Sequence, residues 1–473
     1  MENIVGRKFE YQQLNECIHS QRSEFVVVCG RRRVGKTFMI RSFFNDKYDF
    51  QYTGARNVPA KIQLEKFAYA LQKYSKSKYA PVLKDWYDAF RQLELLLEDL
   101  PKKRRKIIFI DEMPWIDSPK SVFVSALESF WNSWAMMRDD IVLVACGSAT
   151  SWMNDKLLDN QGGLYNRITR KILLHSFSLA ECREYLQSKH CNWDSYQIIQ
   201  SYMVLGGVPF YYSLLNPKLS LVQNIDYLFF NDGGILNGEF EELYHSLFSN
   251  SDKYVSVVRA LSQKHEGLSR NEIVEKTKLS GGGLSKILSN LEKCDFITGY
   301  SKYKNPSKNV IYRLTDFYTL FYFKFLEGRG RNANGFGSNN FDSSRIYAWQ
   351  GYTFELVCLA HIDVIKKKLG IAGMSTSISC WRGKGNEGNT QIDLLIDRKD
   401  RTINVCEIKF SNAPYVIDKQ YESHLRMRNA IFKADAKTNK TLCTTFISVF
   451  GVVPNVHSQV VDNEVVGEDL MSD

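Results

Sequence analysis

The octapeptide GRRRVGKT, Gly30 to Thr37, constrains this chain more than any other stretch. It fits the pattern G-x-x-x-x-G-K-[ST], directly follows the apolar run FVVVC and precedes the helix-like run FMIRSFF. A glycine-rich loop between a buried strand and a helix start is a phosphate cradle. Its glycines let the backbone curl until its N–H groups face anionic oxygens, and the helix N-terminus adds partial positive charge. The loop Gly30, Arg31, Arg32, Arg33, Val34, Gly35, Lys36 and Thr37 is therefore expected to wrap the phosphates of ATP. Lys36 is expected at the β- and γ-phosphates and Thr37 on a magnesium ion. Because the backbone does the wrapping, the side chains of Arg31, Arg32 and Arg33 are expected to point away as surface charges.

Two further runs, KIIFIDE (106–112) and IVLVACGS (141–148), are short, nearly continuous and β-branched. Such runs suit a parallel sheet buried on both faces by helices, so residues 1–175 read as an α/β P-loop NTPase core. Asp111 and Glu112 end the first run. Asp111 is placed to hold magnesium, directly or through water, and Glu112 to polarise the attacking water. A phosphate loop alone binds nucleotide; the added carboxylate pair argues for hydrolysis. Ser148, at the end of the second run, reads either as a sensor of the γ-phosphate or as a simple turn serine. Arg167 and Arg170 are candidates to neutralise γ-phosphate charge.

The remaining chain changes style several times. Its 473 residues allow three or so domains, and 44% hydrophobic content argues for folded ones. Residues 176–250 read as a helical lid with punctuation at Gly206, Gly207 and Pro209. Residues 251–327 read as three helices and a small hairpin, the pattern of a winged helix. There Ser280 sits near the N-cap of a candidate recognition helix, and Lys302, Lys304 and Lys308 form a candidate wing for phosphate contact without sequence choice. The other use of such a unit is packing between domains. Residues 328–344 are rich in Gly and Asn and read as a linker. Residues 345–473 form a separate α/β domain.

A formal charge of +10 leans toward nucleic acid, with DNA favoured, or marks a merely lysine-rich surface. Ten cysteines without a C-x-x-C pair read as reduced thiols of a cytoplasmic protein, with Cys29, Cys146 and Cys406 in apolar strands. No apolar stretch reaches the roughly 18 residues of a membrane span. MENIVGRKFEYQ lacks a signal-peptide core. The oligomeric state stays open.

In the last domain, QIDLLID (391–397) and TINVCEIKF (402–410) flank the turn RKDR. A hairpin centred on Asp400 sets Asp393 opposite Glu407, with Cβ atoms about 5 Å apart. Lys409, Val405, Ile403 and Leu395 share that face, and Ile392, Leu394, Cys406, Ile408 and Phe410 the other. Facing carboxylates repel unless a divalent cation, Mg2+ or Mn2+, lies between them. Lys409 would then orient a water or neutralise developing phosphorane charge. Glu355, on the helix before the hairpin, is a further candidate metal ligand, and Gln420 beside Lys419 a candidate helper. This spacing resembles the PD-(D/E)xK nucleases, although Ile392 stands where their proline usually precedes the aspartate. The competing reading is a structural salt bridge of Lys409 with Asp393 or Glu407.

VGRKFEYQQL, GRRRVGKT, IDEMPW, GSAT, the arginine of YNRIT and GGVPFYY occur in this order. Together they resemble the archaeal-type P-loop ATPases related to the STAND and AAA+ groups, whose prokaryotic members often carry a winged helix and a C-terminal restriction-endonuclease-like domain. The resemblance implies Gly6 and Arg7 near the adenine, and Gly207 and Pro209 in a lid over the nucleotide. Asn166 departs from the glycine more usual before the arginine. If the C-terminal domain does not cleave, the same resemblance implies a STAND-like ATP-dependent switch.

Overall fold

The structure, a computed structural model, describes residues 4–101, 104–118, 121–148, 150–158, 163–164, 166–231, 233–248, 250–300, 303, 310–328, 343–385 and 388–472. Lys302, Lys304 and Lys308 of the expected wing, and most of the expected linker, lie outside them. The chain divides into two compact units, residues 1–175 with 246–249, and residues 176–245 with 250–473.

The first unit is built on five parallel strands: β1 (Glu24–Cys29), β2 (Phe50–Thr53), β3 (Lys106–Asp111), β4 (Ile141–Gly147) and β5 (Arg170–Leu173). Their order is β2-β3-β4-β1-β5. Every residue of β1, β3 and β4 is buried. That is why these strands read as continuous apolar runs instead of alternating ones. The period of two persists inside the core. Phe25, Val27, Ile108, Ile110, Leu143 and Ala145 pack on one face, and Val26, Val28, Phe109, Val142 and Val144 on the other. Helices Ala60–Ser75, Trp86–Glu98 and Phe123–Ser133 cover the first face; Lys8–His19 and Lys36–Phe44 cover the second. The short edge strands β2 and β5 are only partly buried. The order puts the carboxyl ends of β1, β4 and β3 side by side, where open α/β sheets bind ligands.

The second unit begins with helices Leu179–Ser188 and Ser195–Leu205, each opened by a capping box, Ser178 with Glu181 and Asp194 with Gln197. Helices Ser251–Ser262, Arg270–Thr277 and Gly281–Lys293 follow, with a small sheet of β6 (Leu268–Ser269), β7 (Ile297–Tyr300) and β8 (Ile311–Leu314) in the order β6-β8-β7. Ser280 is the N-cap residue of the third helix.

The C-terminal part opens with helix Ser344–Ala360. Its strands are β9 (Thr376–Gly385), β10 (Gly388–Arg398), β11 (Thr402–Lys409), β12 (Thr441–Ser448) and β13 (Asn463–Val465), ordered β13-β12-β11-β10-β9. β9, β10 and β11 are antiparallel; β12 and β13 continue parallel to β11, after helix Lys419–Asp435. The hairpin register is the expected one about Asp400, with Leu394 opposite Cys406 and Leu395 opposite Val405. One expectation is corrected. Ile392 does not share a face with Leu394; it packs with Leu395, Ile403 and Val405. The cause is a register shift between Ile392 and Leu395 against β9, which re-aims the intervening residues.

None of the ten cysteines is in a disulfide. No helix among the described residues is long and apolar enough to cross a membrane.

Candidate nucleotide site and C-terminal carboxylate cluster

The chain leaves β1 at Cys29 and turns at Gly30 with φ 153°. A Cβ on Gly30 would lie 2.2 Å from the Leu174 carbonyl oxygen, so only glycine fits beside the chain leaving β5. Gly35 takes φ 88° as the N-cap of helix Lys36–Phe44, and its carbonyl accepts from Met39 N–H at 2.8 Å. Between the glycines the loop closes on its own lysine. Lys36 Nζ, buried, donates to the Gly30 carbonyl at 3.0 Å and the Arg31 carbonyl at 2.9 Å. Arg7 braces the same loop from behind, donating to the Val34 carbonyl at 3.2 Å and the His175 carbonyl at 2.8 Å. Gly6 precedes it with φ 66°. Arg32 and Arg33 are partly exposed. Arg31 is not the surface charge expected: it is 3% exposed, because the first loop residue is still enclosed beside the central strands.

The carboxylates arrive on β3. Thr37 Oγ1 donates to Asp111 Oδ2 at 2.9 Å, so a hydroxyl and a carboxylate converge as hard oxygen donors fit for a divalent ion. Glu112 follows with φ 48°, and its N–H donates to Asp111 Oδ1 at 2.9 Å. This left-handed step turns the chain out of the strand and aims the Glu112 carboxylate at Ser148. Ser148 Oγ donates to Glu112 Oε2 at 3.0 Å from the end of β4. Burial pushes the Glu112 carboxyl up, Lys36 opposes it and Asp111 adds to the rise. A carboxylate raised in this way accepts a proton from water more readily.

Two expected members do not join this site within the chain. Thr169 N–H donates to the Phe25 carbonyl, and Arg170 pairs with Val26, three residues before Cys29. That is about 10 Å short of the loop at strand rise. Arg167 is exposed at the same far end, and Arg170 instead meets Glu16 at 3.1 Å. Parallel strands put the start of β5 opposite the phosphate loop. Asn166 has φ 57°, the conformation that makes glycine usual there and that asparagine tolerates.

In the second unit, Pro209 opens helix Pro209–Ser213, and the Gly207 carbonyl accepts from Phe177 N–H at 2.7 Å. Its C-terminal part holds a second cluster. Glu355, Asp393, Lys409, Tyr352, His265 and Arg313 line one cavity of about 400 Å³. Burial, then Asp393, pushes the Glu355 carboxyl up to about 8. Burial raises Asp393 as well, with Arg313 the strongest opposing charge. Glu407, 6% exposed, is engaged by Arg428, by the Tyr421 hydroxyl, and by Lys409 Nζ at 3.0 Å. Burial alone would raise its carboxyl; Arg428 and then Lys409 bring it down to about 2.

Among the described residues no three acidic, histidine or cysteine side chains converge to hold a metal. With the Glu407 oxygens occupied, this arrangement does not fit the metal expected between Asp393 and Glu407. Gln420 and Lys419 are exposed. The same helix supplies Tyr421 and Arg428 instead. Their seven-residue spacing, two helical turns on one face, was the available signal.

Residues 4–213 match the family described as an ATPase domain predominantly from Archaea. An uncharacterized protein of Methanocaldococcus jannaschii is 23% identical over 420 residues, covering 86% of this chain and 88% of that protein. Among solved structures, a Walker-type ATPase of Pyrococcus abyssi is 21% identical with a TM-score of 0.48, over 68% of this chain and 97% of that one. The ORC2 protein of Aeropyrum pernix is 12% identical with a TM-score of 0.40, over 68% and 94%. With a phosphate loop, a Thr37 hydroxyl bonded to the Asp111 carboxylate and a raised Glu112 in one place, the N-terminal part is a P-loop ATPase that binds and hydrolyses ATP with a divalent metal ion.

Proposed function

We propose that this chain couples ATP hydrolysis at Lys36, Thr37, Asp111 and Glu112 to a nuclease-like C-terminal domain that acts on DNA in the cytoplasm. Magnesium is the ion at Thr37 and Asp111. Residues 251–327 serve as a winged helix with Gly281–Lys293 as its recognition helix, and the segment with Gly207 and Pro209 serves as the lid. The observation that most supports the C-terminal part is the strand pair β10–β11. It runs in register up to Leu394 opposite Cys406, one residue from Asp393 and Glu407, in an antiparallel trio extended by parallel β12 and β13, and Asp393, Lys409 and Glu355 line one cavity.

Cleavage of supercoiled plasmid and single-stranded DNA with Mg2+ or Mn2+, with and without ATP, tests this reading. Cleavage by the wild type that is lost in Asp393→Asn supports it. Intact DNA under every condition, with ATP hydrolysis present, removes the nuclease assignment. A second reading is a STAND-like switch whose C-terminal domain only binds. Its support is Glu407, whose oxygens are already held by Arg428, Tyr421 and Lys409. ATP-dependent DNA binding without cleavage favours that switch.

A further inference from the structure

Glu112 holds a backbone conformation that a glutamate rarely adopts. Its φ of 48° and ψ of 47° are left-handed, which costs energy for a side chain of this kind. Such a residue persists only where its surroundings over-determine it. The turn matters because it aims the carboxylate at Ser148.

The one-turn helix Met113–Ile116 that follows Glu112 is wedged between the ends of β2 and β4. A Cβ on Gly54, just past β2, would lie 2.6 Å from the Glu112 carbonyl oxygen and 2.7 Å from the Ile116 side chain. A Cβ on Gly147, the last residue of β4, would lie 2.7 Å from the Pro114 ring. Both neighbouring chains therefore approach at backbone distance. Gly54 N–H also donates to the Asp111 carbonyl at 2.9 Å, and Trp115 N–H to the Glu112 carbonyl at 3.0 Å.

A single side chain ties these pieces together. Gln63, in helix Ala60–Ser75, is 0% exposed. Its Nε2 donates to the Trp115 carbonyl and to the Ala55 carbonyl, each at 2.7 Å. Its Oε1 accepts from Ala55 N–H at 3.1 Å and from the Tyr52 hydroxyl at 2.5 Å. Both donors and both acceptor positions of the amide are thus in use. The partners lie on β2, on the turn after it and on the one-turn helix, the segments that enclose Glu112. Burying an amide is costly unless it is fully bonded. An aliphatic side chain would fill this space without that requirement, but it would link nothing.

We propose that Gln63 is a positioning residue for ATP hydrolysis. Without touching nucleotide, it clamps Trp115 to Ala55 and Tyr52 and so keeps the Glu112 turn in the geometry that presents the carboxylate to the attacking water. The proposal rests on the reading of Glu112 as the proton acceptor and is independent of the C-terminal domain.

Steady-state ATP turnover, together with the affinity for a non-hydrolysable ATP analogue, tests it on the full chain. Gln63→Leu keeps the bulk and removes the four bonds. It should lower turnover at saturating ATP by about 10- to 100-fold, the scale of a misplacement of about 1 Å. Analogue affinity should stay that of the wild type, because Lys36 and Thr37 stand on the helix after β1. In a Glu112→Gln background, Gln63→Leu should lower turnover no further, since the two changes disable one function. Should Gln63→Leu fail to fold, Tyr52→Phe, which removes one hydroxyl and keeps the ring, decides by the same comparison and should show a smaller loss. Wild-type turnover in Gln63→Leu or its stand-in, with Glu112→Gln slow, would remove the clamp and leave Glu112 in place. An equal loss in both backgrounds would show that Gln63 does not act through Glu112. Wild-type turnover in Glu112→Gln would remove the acceptor and the clamp together.

Discussion

At the residue scale, the two sites solve the burial of charge in opposite ways. In the nucleotide site Lys36 is satisfied by two loop carbonyls, and Glu112 is left with a hydroxyl donor and a raised proton affinity. Both groups are therefore ready to exchange partners when phosphate and metal arrive. In the C-terminal cluster Glu407 already has its charged partners, and Arg428 is its main one. Removing one side of a buried pair leaves the other uncompensated, at a cost of about 3–5 kcal/mol. Arg428→Ala should accordingly lower the stability of the C-terminal part by that amount in urea denaturation. A change below about 1 kcal/mol, the scale of a surface pair, would show that Glu407 does not depend on Arg428.

At the element scale, the helix start after Ser178 is bonded by a histidine at the C-cap of helix Ser344–Ala360. His361 Nδ1 bonds the Val357 carbonyl at 2.8 Å, so it carries the proton, and Nε2 accepts from Leu179 N–H at 2.9 Å. Burial pushes the His361 imidazole down from its ordinary value. The folded state then binds fewer protons than the unfolded one below about pH 6.5, so stability should fall as pH drops through that value. Denaturation midpoints between pH 8 and 5 would reveal the slope, which should shrink in His361→Gln; an unchanged slope would contradict it.

The elements best read from sequence were those whose pattern is local. β1, β3 and β4 are continuous apolar runs, and the β10–β11 register follows from a short turn centred on Asp400. The bulge at Asp393 was not legible, because it depends on where β9 pairs. Nor were β2 and β5, whose short edges carry little pattern. Arg31 and Arg170 misled for the same reason: loop wrapping and strand direction decide burial and reach, and a charge count contains neither.

At the scale of the whole molecule, the residues that meet at the phosphate loop could be named one by one because a short motif and a strand end carry them. The C-terminal cluster could be identified only by its ligand candidates. Arg313, Tyr421 and Arg428, which decide its electrostatic state, come from segments brought together by folding. The net charge of +10 makes a further global expectation. Changing Lys302, Lys304 and Lys308 to Ala should weaken DNA binding and reduce the slope of log affinity against log salt by about 0.9 for each phosphate no longer neutralised. Equal binding at every salt concentration would discard the wing.

The most direct test of the account is Mg2+-dependent ATP turnover by the wild type and Glu112→Gln, with nucleotide affinity measured on both. The account predicts retained ATP binding and turnover reduced by about 100-fold or more, the contribution of a positioned proton acceptor. Equal turnover in the two proteins would contradict the assignment of Glu112, and with it the catalytic reading of the N-terminal site.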